Sequence, residues 1–280
     1  MTQINNPLKQ FFRQPALYIK LPSGGQYWEN GSLHPTPNNE LPVLPMTAID
    51  EITYRTPDAL FNGSAVISVI ESCMPNIKNA WKMPTLDLNA ILIAIRIASY
   101  GSEMIIESSC PSCTVQSEHT LDLHGVMAQN KTPNYGSSIK NGDLEIYFKP
   151  TSYEEQNKLN TLQFEQQRIV ALLPEAEMPE AEKLEKLNLA LKEITKLTLI
   201  VIQMSIAGIK TPTAFVTEPE FIAEFLKNCD RTLFNEIKDQ AIRLREESDL
   251  KPLSIECPEC HHKYQQTLTL DSTNFFGIAS

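Results

Sequence analysis

The spacing of apolar side chains predicts that much of this chain is helical. Apolar positions recur every three or four residues in four segments of the second half, which is the period of an amphipathic helix. We expect these helices at residues 153–172, 181–206, 219–227 and 232–247, with the first two forming a hairpin across the acidic turn 174–179. In the first half, residues 86–100 are apolar on nearly every side and predict a buried helix. Thr56 and Pro57 form a favourable helix start, so a further helix is expected from there to about residue 72.

The first 45 residues have the pattern of extended chain and turns. Residues 18–21 and 26–28 flank Pro22-Ser-Gly-Gly25, which predicts a β-hairpin. The proline-rich residues 34–45 cannot be helical and are expected to wrap over a surface. Thr47 followed by Asp50 resembles a capping box and marks the start of the helical part.

Two Cys-Pro-x-Cys pairs are the most specific motif in the chain. They are Cys110-Pro-Ser-Cys113 and Cys257-Pro-Glu-Cys260, and each is followed by an alternating segment typical of a strand. The offset between the pairs is 147 residues, and the same offset relates Leu121 to Leu268 beyond them. The chain therefore contains the same small motif twice, a cysteine knuckle followed by a strand.

Four thiolates on two short loops are the ligand set of a structural zinc ion, so we expect Cys110, Cys113, Cys257 and Cys260 to bind zinc. Such a site closes a fold and leaves no open coordination position for catalysis. A degenerate ribbon, with four reduced cysteines and no metal, is the alternative. Thr114 and His261 follow the knuckles, at a position that can need positive φ, and a β-branched Thr114 there predicts an irregular first knuckle.

The sequence gives less support to histidine ligands or to a redox role for these cysteine pairs. Redox Cys-x-x-Cys motifs depend on a helix that begins at the cysteines, whereas a strand is expected after both pairs. Of the histidines near the knuckles, only His261 or His262 is kept as a substitute ligand. The remaining cysteines, Cys73 and Cys229, are expected to be small core residues.

Together these elements predict an α+β fold, with a helical body and a small split zinc-ribbon β element that joins distant chain segments. We expect an extended N-terminal arm with a hairpin (1–45), a buried helical segment (46–102), the first half of the ribbon with a strand (103–150), a helical excursion (151–250), and the second half of the ribbon with a C-terminal tail (251–280). Arg96 lies inside the buried helix and is expected to form a structural ion pair.

Composition and charge limit the classes of function that are compatible with the sequence. The 280 residues carry a formal charge of −10, with a pI near 5.1, which argues against a surface for nucleic acid or anionic membranes. Residues 1–10 are polar and do not resemble a signal peptide, and the longest apolar runs are too short to span a bilayer. The sequence predicts a soluble protein made in a reducing compartment, which favours thiols over disulfides.

Signatures of catalysis are absent from the sequence: there is no phosphate-binding Gly-x-x-x-x-Gly-Lys, no Gly-x-Ser-x-Gly and no His-Glu-x-x-His. The acidic stretch 175–185 is typical of a solvated helix face or turn. Apolar positions between Leu187 and Val201 repeat at helical spacing, which indicates either core or a stripe that docks a partner.

Several longer phrases resemble baseplate proteins of contractile-tailed, T-even-like bacteriophages. They are Leu44-Pro-Met-Thr-Ala-Ile-Asp-Glu51, Thr56-Pro-Asp-Ala-Leu-Phe-Asn-Gly63, Ala94-Ile-Arg-Ile-Ala-Ser-Tyr-Gly101, Cys110-Pro-Ser-Cys113, Lys251-Pro-Leu-Ser-Ile-Glu-Cys-Pro-Glu-Cys260 and Asn274-Phe-Phe-Gly277. The resemblance covers the chain from about residue 18 onward and implies a hub subunit or hub assembly factor without enzyme activity. The Gly that usually follows the family's Cys-Pro-x-Cys is missing here after both pairs.

The first hypothesis is therefore a non-enzymatic structural component of the virion tail baseplate, made in the host cytoplasm. Its helical excursion and N-terminal arm would dock other baseplate and tail proteins, with no nucleic acid, membrane or small-molecule substrate as partner. Two alternatives stay open: a hub assembly chaperone that is absent from the finished virion, and a zinc-ribbon nucleic-acid-binding protein. A hidden hydrolase or oxidoreductase has only lone Cys and His residues to support it.

Overall fold

A computed structural model describes residues 6–56, 63–129, 132–173, 178–268 and 276. The helices of these parts are α1 Ala48–Tyr54, α2 Ser64–Cys73, α3 Thr85–Tyr100, α4 Leu123–Ala128, α5 Tyr153–Leu172, α6 Glu180–Met204, α7 Pro219–Asn228 and α8 Arg231–Ser248. The strands are β1 Leu17–Ile19, β2 Leu41–Val43, β3 Glu103–Ser109, β4 Gln116–Asp122, β5 Ser138–Asn141, β6 Leu144–Phe148, β7 Ile206–Lys210, β8 Phe215–Val216, β9 Leu253–Glu256 and β10 Lys263–Gln266. The mixed helix and sheet confirm the α+β class.

A first hydrophobic core is built from α2 and α3, with β1 and β2 packed over them. The hairpin predicted around residues 22–25 is wrong, because β1 pairs with β2 across the register Leu17↔Val43. Residues 34–45 were expected only to wrap over a surface. Their Leu41 and Val43 instead point into the core on either side of Pro42, which lies in a two-stranded sheet that tolerates its missing N–H.

Of the three helices α1, α2 and α3, only α1 begins at a side-chain cap. Thr47 and Asp50 form the capping box of α1, as predicted. The predicted start of the next helix at Pro57 lies outside the described residues, and α2 begins later, after Gly63 with φ of +78°. The expectation for α3 is confirmed, since its residues 90–96 are all buried.

The interaction of the Arg96 side chain differs from the predicted ion pair. Its side chain is buried in α3, but its Nε and Nη1 atoms have no hydrogen-bond partner in the described chain. The guanidinium lies 4.7 Å from the centre of the Tyr100 ring, a cation–π contact in place of the expected ion pair. Burial lowers the pKa of Arg96.

A second core combines an antiparallel sheet of order β5-β6-β7-β8 with α6, α7 and α8. Strand β7 was not predicted. The predicted helix ran to residue 206, whereas α6 ends at Met204 and Ile206 begins the strand. The apolar residues on either side of Ser205 fit a helix or a strand, and the pairing of β7 with β6 decides that Ile206 belongs to a strand.

The predicted helical hairpin is present as α5 and α6, and α5 has the bounds read from the sequence. Its start is defined by a capping box between Ser152 and Glu155. Most of the connecting turn lies outside the described residues. Backbone bonds from Thr85 N–H to Thr151 O and from Tyr153 N–H to Met83 O attach the hairpin to the first core. In the described ranges, no helix is long and apolar enough to cross a membrane.

Candidate metal centre

Two β-hairpins of equivalent register carry the four cysteines. In the β3–β4 hairpin, Ser109 lies opposite Gln116, and in the β9–β10 hairpin, Glu256 lies opposite Lys263. Each residue of the second pair is 147 positions after its counterpart, which is also the offset between the cysteine pairs. The sequence repeat is therefore a repeat of structure.

The two knuckles also share their backbone hydrogen bonds. In the first, Thr114 N–H donates to Cys110 O and Cys110 N–H donates to Val115 O. In the second, His261 N–H donates to Cys257 O and Cys257 N–H donates to His262 O. All four distances are 2.9–3.0 Å.

The residue after each knuckle adopts the left-handed backbone that glycine favours. Thr114 has φ of +60° and His261 has φ of +56°. The positive φ was foreseen, but the predicted irregularity of the first knuckle is wrong, because its hydrogen bonds match those of the second. The backbone strain at Thr114 is borne without distortion of the loop.

The four sulfur atoms converge at one point. Cys110 Sγ lies 3.6 Å from Cys260 Sγ, Cys113 Sγ lies 3.6 Å from Cys257 Sγ, and all four lie within 4.8 Å of one another. Four sulfurs at about 2.3 Å from a central ion would be separated by about 3.8 Å in a regular tetrahedron. A disulfide would need about 2.05 Å. The sulfur positions therefore fit a shared metal ion rather than cross-linked pairs.

The two equal Sγ–Sγ distances indicate that the knuckles are related by a local two-fold axis. Exchanging each cysteine with its counterpart 147 residues away turns the contact of Cys110 with Cys260 into that of Cys257 with Cys113. The two contacts have the same length, so each hairpin contributes to the cluster in the same way. One knuckle alone would supply only half of a tetrahedral site.

The thiols influence one another's ionisation. Burial raises the pKa of Cys110, but hydrogen bonds from the N–H groups of Cys113 and Ser112 and from other thiols outweigh it and lower the pKa to about 7. At Cys113 a backbone hydrogen bond lowers the pKa, but the thiols of Cys260, Cys257 and Cys110 raise it to about 12. Four thiolates cannot coexist this close without a cation, and a bound dication would favour the ionised form of all four.

Side-chain contacts outside the cluster hold the two hairpins together. The hydroxyl of Ser108 on β3 lies 2.8 Å from Tyr264 Oη on β10 and donates to Gln266 Oε1 at 3.0 Å. Leu268, just after β10, is buried in the first core. Ser108, Tyr264 and Gln266 were not singled out from the sequence, since polar residues on exposed strands give no signal of a contact between segments so far apart.

The other candidate residues lie apart from the cluster. His261 Nδ1 is 3.2 Å from Glu256 Oε1, and the His262 ring stacks on Tyr264, so neither joins the four sulfurs. Cys73 is fully buried in the first core, where burial raises its pKa to about 12, as expected of a structural thiol. Cys229 packs against the second core.

Comparison with known proteins assigns the chain to a family. A family model described as T4 bacteriophage base plate protein matches residues 46–277, which include all four cysteines. No curated protein and no solved structure matches the chain. Because the family match covers most of the chain, this is a member of the T4 bacteriophage base plate protein family.

Proposed function

We propose that the chain is a non-enzymatic structural component of the hub region of a phage contractile-tail baseplate, where it docks other tail proteins. The observation that carries this proposal is the family match over residues 46–277. The net charge of −10 gives no support to nucleic acid as a partner.

The metal in this proposal is zinc, held by Cys110, Cys113, Cys257 and Cys260. The donor set supports this assignment, since four thiolates at tetrahedral spacing suit zinc and leave no position for substrate. The site would be structural: it ties the chain that returns from the helical excursion to the hairpin formed before it. In the described part of the chain, no other cluster of Cys, His, Asp or Glu has metal-ligand spacing, which supports a role without metal-assisted catalysis.

An exposed apolar surface at the N-terminus supports docking. Arg13 donates to Asp50 Oδ2 at 3.1 Å and so attaches the arm to α1. The large apolar residues next to Arg13 and Asp50 in the sequence are exposed: Leu8, Phe11, Phe12, Ile49 and Ile52. We propose this N-terminal surface as a contact with a neighbouring baseplate protein, because an apolar patch of this kind marks protein interfaces.

The test is quantitative mass spectrometry of finished phage particles beside unfinished tails, with zinc measured on the purified protein. Stoichiometric presence in finished particles is expected, together with one zinc per chain. Presence only in unfinished tails would replace the proposal with a hub assembly chaperone. A particle that carries Phe11→Lys should lose the protein, whereas Tyr18→Lys, at another exposed aromatic, should leave it in place.

A further inference from the structure

The α5–α6 hairpin carries an apolar groove that the rest of the described chain leaves open. The groove has a volume of about 520 Å³ and lies between the distal half of α5 and the proximal half of α6. Ile169, Leu172 and Leu189 line it and are exposed by 41%, 57% and 55%. Helices of this amphipathic kind bury such side chains against further helices when a partner is available.

The charge of the hairpin permits a second copy of the chain to approach. Although the whole protein carries −10, α5 and α6 together hold seven acidic and six basic side chains. Two copies that meet through these helices therefore avoid most of the repulsion that the rest of the acidic surface would cause.

Three charged residues line the groove: Lys186 pairs with Glu182 on its own helix at 3.0 Å, and Arg168 and Glu193 are placed so that the groove complements itself. Arg168 lies four residues before the end of α5 at Leu172, near the tip of the hairpin. Glu193 lies thirteen residues after the start of α6 at Glu180, nearer the base. Leu189 is nine residues from that start, close to midway between the two levels. A two-fold axis perpendicular to the helices at Leu189 brings Arg168 of one copy level with Glu193 of the other.

We propose that this groove is the interface of a symmetric dimer, in which two α5–α6 hairpins pack antiparallel as a four-helix bundle. A helix from another protein would have to supply a carboxylate near Arg168, a cation near Glu193 and an apolar stripe between them. A second copy supplies all three with one interface, as a two-fold contact does. Glu193 already contacts Lys196 on its own helix, but an exposed pair of this kind contributes little and leaves the carboxylate available.

The first experiment measures the mass of the purified, metal-loaded full chain in solution by sedimentation velocity at micromolar concentration. The wild-type protein is expected to be a dimer, and Ile169→Glu a monomer. Leu184→Glu is the matched control, since Leu184 is 60% exposed on α6 but does not line the groove, and this variant is expected to stay dimeric. Circular dichroism and melting curves verify that each variant is folded. A monomeric wild type, or a dimer unchanged by Ile169→Glu, would overturn the proposal.

A charge exchange separates a second copy from any other occupant. Arg168→Glu and Glu193→Arg each place like charges in the interface, so each variant alone is expected to dimerise at least about tenfold more weakly. Mixed together, the two variants restore both oppositely charged contacts and are expected to form a heterodimer. Failure of the mixture to associate more tightly than either variant alone overturns the antiparallel two-fold arrangement. The outcome is independent of whether the protein remains in the finished particle.

Discussion

At the scale of single residues, Thr114 has a strained backbone conformation that the turn of the first knuckle requires. Its φ of +60° is unfavourable for a β-branched residue. We predict that Thr114→Gly raises the free energy of unfolding by up to about 1 kcal/mol, since relief of about 1–2 kcal/mol of left-handed strain exceeds the greater flexibility of an unfolded glycine. Urea denaturation measures it. Ser112→Gly, in the same knuckle at negative φ, is the control and should not stabilise; a less stable Thr114→Gly would contradict the strain argument.

Asp87 is the second residue with a measurable consequence. Its carboxylate is completely buried on α3 and accepts hydrogen bonds from Ser23 N–H at 2.8 Å, Ser23 Oγ at 2.6 Å and Trp28 Nε1 at 2.9 Å. Burial raises its pKa to about 6, against the opposing effect of these three hydrogen bonds. The residue fastens the loop after β1 to the first core.

The raised pKa predicts how stability depends on pH. Well below pH 4 Asp87 is protonated in both the folded and the unfolded protein. As the pH rises toward 6, the unfolded chain loses the proton first, so the folded state is progressively disfavoured. We expect the contribution of Asp87 to the free energy of unfolding to fall by about 2 kcal/mol between pH 4 and 7. The free energy of unfolding is measured against pH for the wild type and for Asp87→Asn, and the difference between the two curves gives the contribution of Asp87. Parallel curves would disprove the prediction.

At the scale of elements, the two cysteine hairpins form one unit built from two halves. Each half is a two-stranded sheet, and a hairpin of that size is marginal in isolation. Ser108, Tyr264 and Gln266 connect the halves, but the contacts are few. A bound metal ion would therefore supply much of the stability of this unit.

This reasoning predicts the effect of removing a ligand. Cys110→Ser and Cys257→Ser should each lower the free energy of unfolding by several kcal/mol in the metal-loaded protein, because metal binding is coupled to folding. Thermal melting measures the loss, and Cys229→Ser, outside the cluster, should change little. A chelator should make wild type and Cys110→Ser alike. Melting curves that coincide before chelation would exclude a stabilising metal.

At the scale of the whole molecule, the chain leaves the first core, builds the second and returns. The second core and the α5–α6 hairpin are inserted between the two cysteine hairpins. The first core includes Leu268 and Phe276 from beyond the second knuckle, and the edge-to-face contact of Phe276 with Tyr54 lies there. The cluster of four cysteines is therefore the point where the returning chain meets the first cysteine hairpin.

Removal of the metal should consequently release one part of the molecule and spare another. We expect amide hydrogen exchange after chelation to lose protection in β9 and β10, while β6, β7 and α8 of the second core keep theirs. The sheet and helices of that core bury their own side chains and do not depend on the cluster. Uniform loss of protection throughout the chain would show that the two cores unfold together.

Local signals and long-range contacts were not equally predictable. The bounds of α5 could be predicted because the helical period of its apolar residues is a local signal. The pairing of β1 with β2 could not, because the glycine-rich turn after residue 21 offered a nearer partner. After α6, Ile206 lies four residues beyond Ile202 and fits the helical period, and only its pairing with β6 shows that it belongs to a strand.

In the candidate site, too, local features could be predicted from the sequence and long-range contacts could not. By itself, the sequence determined the four candidate cysteines, the repeat of 147 residues and the left-handed position after each knuckle, because these depend on residue type and short spacing. Only the tertiary structure decided that the four sulfurs meet, that Ser108 reaches Tyr264, and that Arg96 lies over an aromatic ring instead of pairing with a carboxylate. Those contacts join residues whose neighbours in space are set by the packing of the whole chain. No local preference encodes them.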